Sequence, residues 1–406
     1  MRGAFGLVLG LAFAIPASAG ALTLLSPAEG EIREVLITVP EEDFAGSEPG
    51  AVLREALAGI VRALGPKVRY LVHAYPARER AVTALMRRHG ARELRFLPSA
   101  HGHYTRWPRD MLLVQRGGVT DTWLAPRALG RRLDNSVALE IGQQLGRRVQ
   151  TIDGAVAGGN LVTAGGWVFA GEDLLIGDHD HRPERRVIER LLAPGQRWRW
   201  VAMPGARDSR AVWQGKRQPL FHLDLFLTAL APAHDTKPAV LVASPGLARR
   251  LLGQAPRASD RDNEYDGIAA ALTADGFPVT RLPLLIESQG GEVSLLGHNN
   301  VLLEEPGPAR RVFLPRYGGA LAVLDEYAAR VYRQHGYTIV WVEGPWRALA
   351  RDLGGLRCLV LVTDRGPLIK GFRWRGRLDY STSAESRRLS CFAWRSSTCG
   401  LSRNRV

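Results

Sequence analysis

The feature that most constrains the fold of this chain is a recurring join, in which a helical stretch ends at a glycine and a β-rich run follows. Glycine suits this position because it readily adopts the left-handed conformation that closes many helices. The joins lie at Gly65, Gly90, Gly146, Gly276 and Gly336. Weak internal repetition of this kind is typical of a pseudo-symmetric array. We therefore predict an α/β fold of repeated units whose equivalent loops meet at one end.

Two double-glycine segments resemble each other, and both are predicted to form β-hairpins. The first covers residues 158–169 and passes through Gly165-Gly166. The second covers residues 290–303 and passes through Gly297-His298. Glycine is favoured at such positions because tight hairpin turns require positive φ angles.

Three short segments carry the candidate chemistry. His222 and Asp224 lie between large apolar residues, Asp110 follows Trp-Pro-Arg, and Cys358 follows a double glycine. If residues 221–226 are extended, His222 and Asp224 point to the same side. A thiolate near a histidine is a nucleophile with a proton shuttle, and two carboxylates suit a planar guanidinium. The combination predicts attack of a thiolate on a guanidinium carbon; the alternative is a buried apolar thiol and ordinary hydrogen-bonded loop residues.

The same residues carry a resemblance to a known superfamily. Trp107-Pro108-Arg109-Asp110 resembles the W-x-R-D element of agmatine deiminases, and His222-Leu223-Asp224 resembles their H-x-D. Gly354-Gly355-Leu356-Arg357-Cys358 resembles the glycine-rich segment before the nucleophilic cysteine, and residues 299–337 resemble the elements that precede it. The chain thus resembles the guanidine-modifying (pentein) superfamily over roughly residues 30–365. The resemblance implies a single-domain α/β propeller of pseudo-symmetric ββαβ repeats.

The resemblance also implies roles for these residues in a deiminase. Cys358 would attack the guanidinium carbon, and Asp110 and Asp224 would hold its nitrogens. His222 would protonate the leaving ammonia and then activate water on the thiouronium intermediate. No cofactor and no metal ion are implied. The residues expected to bind substrate are Trp107, Arg109, Gly158, Gly159, Asn160 and Gly355.

One departure from the superfamily pattern concerns the histidine. Arginine and agmatine deiminases carry an acidic residue directly before Gly-Gly that orients the histidine, whereas this chain has Ala157. Neither Asp153 nor Glu172 is an obvious replacement. Peptidylarginine deiminases manage with one cysteine, one histidine and two aspartates, so loss of this acid need not mean loss of activity. The departure does argue against a standard free-arginine or agmatine deiminase. Two alternatives stay open: an amidinotransferase, and a degenerate protein that binds guanidinium ligands without turnover.

The N-terminus has the pattern of an export signal. Arg2 supplies the positive end, residues 4–15 are apolar, and Ala17-Ser18-Ala19 supplies a small-residue cleavage site. The apolar run is short for a membrane span, although an uncleaved anchor is the alternative. We expect a signal peptide at 1–19, a catalytic domain at 27–368, and a periplasmic or secreted location in a bacterium, with no membrane span after cleavage.

The net charge of +14 has two consequences. The arginines are scattered, so no nucleic-acid partner is expected; the expected partner is a guanidino small molecule or an arginyl peptide or protein. Because that partner is a cation, its pocket must be locally acidic. Residues 369–406 are predicted to be a basic, disordered tail, and the alternative is a sequence artefact such as a shifted reading frame. Cys391 and Cys399 in this tail are able to pair, which leaves Cys358 as the odd thiol. The acidic and histidine-rich turn at 177–181 is expected to be a solvated loop.

Overall fold

The computed structural model of this chain describes residues 22–44, 48–117, 121–126, 133–152, 156–175, 184–203, 217–232, 236–289, 292–307 and 309–366. The predictions for the signal peptide, the turn at 177–181, Asp153, the Gly290-Gly291 pair and the tail with Cys391 and Cys399 fall outside these ranges. The described residues all lie in one compact unit.

The described chain contains eighteen strands, most of them short. In chain order they are β1 (Thr23–Leu24), β2 (Ile32–Val39), β3 (Arg69–Ala74), β4 (Glu93–Pro98), β5 (Leu113–Arg116), β6 (Thr122–Pro126), β7 (Val149–Ile152), β8 (Leu161–Ala164), β9 (Trp167–Gly171), β10 (Arg197–Val201), β11 (Leu227–Leu230), β12 (Ala239–Ser244), β13 (Val279–Gln289), β14 (Glu292–Gly297), β15 (Leu302–Glu304), β16 (Arg310–Pro315), β17 (Tyr337–Val342) and β18 (Leu361–Arg365).

Helices alternate with these strands. The α-helices are α1 (Glu48–Leu64), α2 (Glu79–Arg88), α3 (Pro108–Met111), α4 (Asp134–Leu145), α5 (Arg185–Leu192), α6 (Pro245–Leu251), α7 (Asp262–Ala274), α8 (Ala322–Gln334), α9 (Trp346–Arg351) and α10 (Leu356–Leu359). Short 3-10 helices lie at Glu42–Phe44, Pro76–Arg78, Gly158–Asn160, Glu172–Leu175, Leu223–Leu225, Ala258–Asp260 and Gly319–Leu321.

The described strands form five small mixed sheets that share one pairing pattern. Their strand orders are β18-β2-β3-β4, β1-β5-β6-β7, β10-β9-β8, β11-β12-β13-β14 and β15-β16-β17. Each sheet contains an antiparallel pair of strands. One strand of that pair also pairs in parallel with a strand that follows it in the chain after a helix. The last strand, β18, pairs with β2, so the two ends of the described chain meet in one sheet. The repetition read from the sequence is therefore present in the strand pairing.

The predicted helix–glycine–strand joins are confirmed. The glycine has a positive φ at all five positions, from 63° at Gly146 to 110° at Gly90. At the end of α4 the N–H of Gly146 donates to the carbonyls of Gln143 and Gly142, which caps the helix. The strand β7 begins three residues later, as expected.

One of the two predicted hairpins is correct and the other is wrong. β8 and β9 pair antiparallel around Gly165 and Gly166, whose φ angles are 53° and 74°. The second segment does not fold back on itself, because β14 pairs with the far end of the long strand β13 and β15 belongs to another sheet. The segment thus does not turn back at Gly297-His298, and β14 pairs with β13 as far as Gln289 and Glu292.

Apolar side chains fill the space between the sheets and their helices, and each fully buried one contributes about 1.5–3 kcal/mol. The largest group joins β2 and β3 to α1 and α2, and includes Val35, Ile37, Leu57, Ile60, Tyr70 and Val82. A second group joins β16 to α8 through Val312, Leu314, Ala328 and Tyr332.

Among the described residues, no helix combines the length and the apolar composition that a bilayer crossing requires.

Candidate active site

Cys358 lies in the short helix α10, directly after the double glycine, and is buried. Its sulfur accepts a hydrogen bond from Nδ2 of Asn300 at 3.4 Å. Oδ1 of the same asparagine accepts from the backbone N–H of Arg357 at 2.7 Å. Asn300 therefore fixes both the start of α10 and the position of the thiol.

The thiol of Cys358 lies near both predicted carboxylates. Burial raises the pKa of Cys358 above its usual value, and the negative charges of Asp224 and Asp110 raise it further. The hydrogen bonds from Gly355 and Asn300 oppose this effect but are weaker. These surroundings therefore favour the neutral thiol of Cys358 over the thiolate.

His222 lies beside Asp110. The imidazole Nε2 is 3.6 Å from Oδ1 of Asp110, and both side chains are about 10% exposed. Nδ1 of His222 has no hydrogen-bond partner among the described residues. Glu172 does not supply one, because it pairs with Arg185 and Arg217. In the described region the structure thus provides no substitute for the acid that Ala157 replaces.

The extended conformation considered for residues 221–226 is wrong beyond His222. His222 itself is extended, with φ −124° and ψ 137°, but Leu223–Leu225 form a 3-10 helix. The reason is a distant asparagine: Oδ1 of Asn160 accepts the backbone N–H of Leu223 at 3.0 Å and caps the turn. Asp224 consequently points into the protein and is fully buried.

Asp224 lies between two arginines of the chain itself. Its Oδ2 is 3.3 Å from Nε of Arg109 and 3.7 Å from Nε of Arg357. Nη2 of Arg109 and Nη2 of Arg357 also donate to the carbonyl of Leu161, at 2.7 Å and 3.4 Å respectively. Arg109, expected to bind substrate, thus contacts Asp224 instead.

The burial of Arg357 has an electrostatic cost. Desolvation and, to a smaller extent, the charge of Arg109 lower the pKa of Arg357 to about 9, while the charge of Asp224 acts in the opposite direction. The surroundings of Asp110 and Asp224 are therefore not as acidic as expected, because two guanidiniums offset the two carboxylates.

Close packing explains why the two predicted glycine pairs are glycines. A Cβ atom would lie 2.2 Å from the Arg109 carbonyl oxygen at Gly158 and 2.5 Å from Nδ1 of His222 at Gly159. On the other side of the site, Gly354 packs against the indole of Trp107, where a Cβ would lie 2.1 Å from the ring. These contacts lock the separate segments against each other.

Gly355 and Asn160 also position the site rather than project into it. A Cβ at Gly355 would lie 2.6 Å from Oδ1 of Asn300, so the glycine permits the contact that holds α10. Asn160 donates to the Phe221 carbonyl at 3.1 Å and accepts from Nε2 of Gln218 at 2.7 Å. It thus holds the segment on either side of His222.

Three residues of the site were missed in the sequence. Asn300 binds the sulfur, Arg357 faces Asp224, and Gln218 supports Asn160. Asn300 lay in the stretch that resembles agmatine deiminases, and Arg357 directly precedes Cys358, so both had a signal. Nothing in the sequence distinguishes Gln218.

Gly159→Ala is expected to destabilise the protein by about 1–3 kcal/mol, because the added methyl group overlaps the imidazole of His222. Denaturant unfolding measures this change. The matched control is Gly166→Asn, at a turn glycine with φ 74° and no atom within 4 Å of its Cβ position, where asparagine is tolerated. Equal stability of the two variants would show that Gly159 does not pack against His222.

The reactivity of Cys358 provides a second prediction. Because its pKa is raised, alkylation by iodoacetamide should keep increasing roughly tenfold per pH unit above the ordinary thiol value of about 8.5. The same peptide alkylated in denaturant should level off near that ordinary value. Peptide mass spectrometry measures both, and a plateau below pH 8 in the folded protein would contradict the description of the thiol.

The chain is similar in structure to guanidine-modifying enzymes. The agmatine deiminase of C. jejuni matches with a TM-score of 0.62 at 12% identity, over 87% of this chain and 99% of that chain. The agmatine deiminase of Enterococcus faecalis matches with a TM-score of 0.55 at 14% identity, over 86% and 99%. A protein provisionally assigned as a peptidyl-arginine deiminase matches with a TM-score of 0.62 at 15% identity, over 86% and 100%.

These likenesses confirm the resemblance found in the motifs at the level of the fold. The chain has a mixed α/β single-domain fold similar to that of these deiminase structures. In sequence, no protein-family model and no curated protein matches the chain.

Proposed function

We propose that this chain is a hydrolase of guanidino groups in which Cys358 forms a covalent thiouronium intermediate. The observation that carries the proposal is the meeting of four side chains from three separate segments: Asp110 beside His222, and Cys358 near Asp110 and Asp224. The fold shared with agmatine deiminases supports it. We also propose that the five sheets are the blades of an α/β propeller and that residues 27–368 form its catalytic domain.

In the proposed first half-reaction, the thiol of Cys358 gives its proton to His222, and the sulfur attacks the guanidinium carbon and forms a C–S bond. A C–N bond then breaks, and His222 gives a proton to the nitrogen that leaves as ammonia. In the second half-reaction, His222 takes a proton from water, whose oxygen attacks the same carbon, and the C–S bond breaks. The net reaction converts a guanidinium and water into a ureido group and ammonium.

The raised pKa of Cys358 gives the substrate a part in forming the nucleophile. In the resting site the thiol is buried near two negative carboxylates, which disfavour a thiolate. A guanidinium bound beside the sulfur adds positive charge and favours loss of the thiol proton. The proposal therefore couples substrate binding to activation of Cys358.

The two carboxylates are proposed to act differently. Asp110 lies at the site with His222 and is assigned the main contact with the guanidinium of the substrate. Asp224 is fully buried between Arg109 and Arg357, and is assigned chiefly to holding these arginines and, through Arg357, the segment that carries Cys358.

The substrate is proposed to be peptidyl-arginine or an agmatine-like guanidine, reached outside the cytoplasm of a bacterium after removal of residues 1–19. The pattern of the N-terminal residues supports export, and export favours an external substrate. No nucleic-acid partner is proposed, and residues 369–406 are proposed to be a basic tail outside the catalytic domain.

A second candidate function is binding of a guanidinium ligand without turnover. The observation that favours it is that Asp224, which would hold the substrate, already faces Arg109 and Arg357. The absence of an acid at Ala157, which leaves Nδ1 of His222 without a partner among the described residues, points the same way.

The test measures ammonia and the ureido product from an arginyl peptide, agmatine and free arginine, with the intact protein and with Cys358→Ala. Equal amounts of both products, formed only by the protein with Cys358, would support the hydrolase. Calorimetric binding of a guanidine without either product would support the second candidate. Transfer to an added amine, without ammonia loss to water, would instead indicate an amidinotransferase.

A further inference from the structure

A cavity of about 50 Å³ lies behind the candidate active site. Its described wall is made by residues of β1, β5, β8, β15, β18, α3 and α10 with the segments beside them, and three arginines are part of it: Arg109, Arg357 and Arg365. The described remainder of the wall is apolar apart from Ser26 and Thr163, and it contains no carboxylate. The volume is enough for a few water molecules or one small ion.

Arg365 is 3% exposed and is held by backbone carbonyls alone. Nη1 donates to the carbonyls of Ala28, Gly30 and Leu303 at 3.2, 3.1 and 2.9 Å, and Nη2 donates to that of Pro27. Nε of Arg365 has no hydrogen-bond partner among the described residues. Within that part of the chain, this buried cation forms no ion pair.

The other two arginines share one carboxylate. Nε of Arg109 and Nε of Arg357 both approach Asp224, at 3.3 and 3.7 Å. Among the three guanidiniums of the wall, two thus share one carboxylate, and the third, that of Arg365, has none paired with it in the described part of the chain. Burial lowers the pKa of Arg357 to about 9 and that of Arg365 to about 10, because desolvation disfavours the charged form.

The acidic residues nearest to Arg365 are engaged elsewhere. Glu304 pairs with Arg311 at 2.6 Å, and Glu305 accepts a hydrogen bond from Tyr337. Burial raises the pKa of both glutamates. They act on Arg365 only at longer range.

A hydroxyl completes the set of donors. Thr163 is 3% exposed, lies in the cavity wall, and its Oγ1 has no hydrogen-bond partner in the described part of the chain. A buried donor without a partner is unfavourable, so both this hydroxyl and Nε of Arg365 favour an acceptor inside the cavity.

We propose that this cavity is a binding site for a small monovalent anion of the size of chloride. Water would satisfy the free donors but not the excess of positive charge, whereas an anion does both. The site is independent of the proposed hydrolysis, although Arg109 and Arg357 belong to both the cavity wall and the surroundings of Asp224.

The direct test is a crystal of the full chain soaked in bromide, examined by anomalous scattering. The expected result is a bromide peak in the cavity within hydrogen-bonding distance of Nε of Arg365 and Oγ1 of Thr163. Bromide only at surface arginines, with ordinary water density in the cavity, would overturn the proposal.

A solution measurement adds an independent readout. The unfolding temperature should rise with chloride and saturate when chloride replaces gluconate, an anion too large for the cavity, at constant ionic strength. Thr163→Val keeps the side-chain shape and should raise the half-saturating chloride concentration about tenfold, because it removes one hydrogen bond to a charged group. Thr273→Val, whose hydroxyl bonds the Ala269 carbonyl within α7, should leave it unchanged. Equal chloride responses of all three proteins would contradict the site.

Discussion

Asp224→Asn is expected to lower the free energy of unfolding by about 3–5 kcal/mol, because it leaves two buried guanidiniums without their counter-charge. The amide keeps the size of the carboxylate, so the loss reports charge and not packing. Arg357 and Arg109 are at most 13% exposed, so water cannot replace the missing charge effectively. Denaturant unfolding at neutral pH measures the difference.

The matched control is Asp110→Asn, which removes a carboxylate from the same site. Its loss of stability should be less than half as large, because Asp110 lies beside an imidazole, which is not a permanent cation, whereas Asp224 lies beside two guanidiniums. Turnover should nevertheless fall in this variant. If Asp224→Asn is as stable as the unmodified protein, Asp224 does not act mainly by holding the arginines.

A double variant separates this effect from a general disturbance. Asp224→Asn combined with Arg357→Met removes one of the two orphaned charges and replaces it with an apolar chain of similar length. The pair should be more stable than the sum of the single changes predicts, with a coupling of about 0.5–3 kcal/mol. Strict additivity would show that the contact at 3.7 Å carries no energy.

Cys358→Ala should reduce guanidine hydrolysis by a factor on the order of 10⁴ or more, since loss of a nucleophile removes the covalent route altogether. Binding of the guanidine should persist, because Asp110 and Asp224 are unchanged. Cys391→Ser is the control, as it removes a thiol that is proposed to lie outside the catalytic domain. A comparable loss of turnover in both variants, or in neither, would contradict the assignment of Cys358.

Much of the fold follows from local rules in the sequence. The five joins were predictable because a helix-ending glycine with positive φ has a distinct signature, and all five have that conformation. The hairpin around Gly165 and Gly166 was predictable for the same reason. The second hairpin was misassigned because β13 runs to Gln289, a length that its sequence does not disclose, and β14 pairs with its end.

The candidate site was only partly predictable. Cys358, His222, Asp110 and Asp224 stand in motifs, so their meeting could be expected from the resemblance. Their hydrogen-bond partners could not be predicted. The turn at Leu223–Leu225 depends on Asn160, more than sixty residues away, and the local sequence pattern does not indicate that contact.

The pairing of Asp224 with arginines was also invisible in the sequence. It arises where α3 and α10 meet, and the order of residues does not tell which of 54 basic side chains will lie there. The sequence therefore predicted an acidic pocket, whereas the structure has carboxylates and guanidiniums together.

The most direct test of the central claim is mass spectrometry of the Cys358 peptide after rapid acid quenching of the protein with a guanidine substrate. We predict a transient mass increase at Cys358 that equals the substrate less ammonia, which appears before the ureido product and decays as that product accumulates. An unmodified Cys358 at every time, in a protein that releases ammonia and ureido product, would contradict covalent catalysis by this residue.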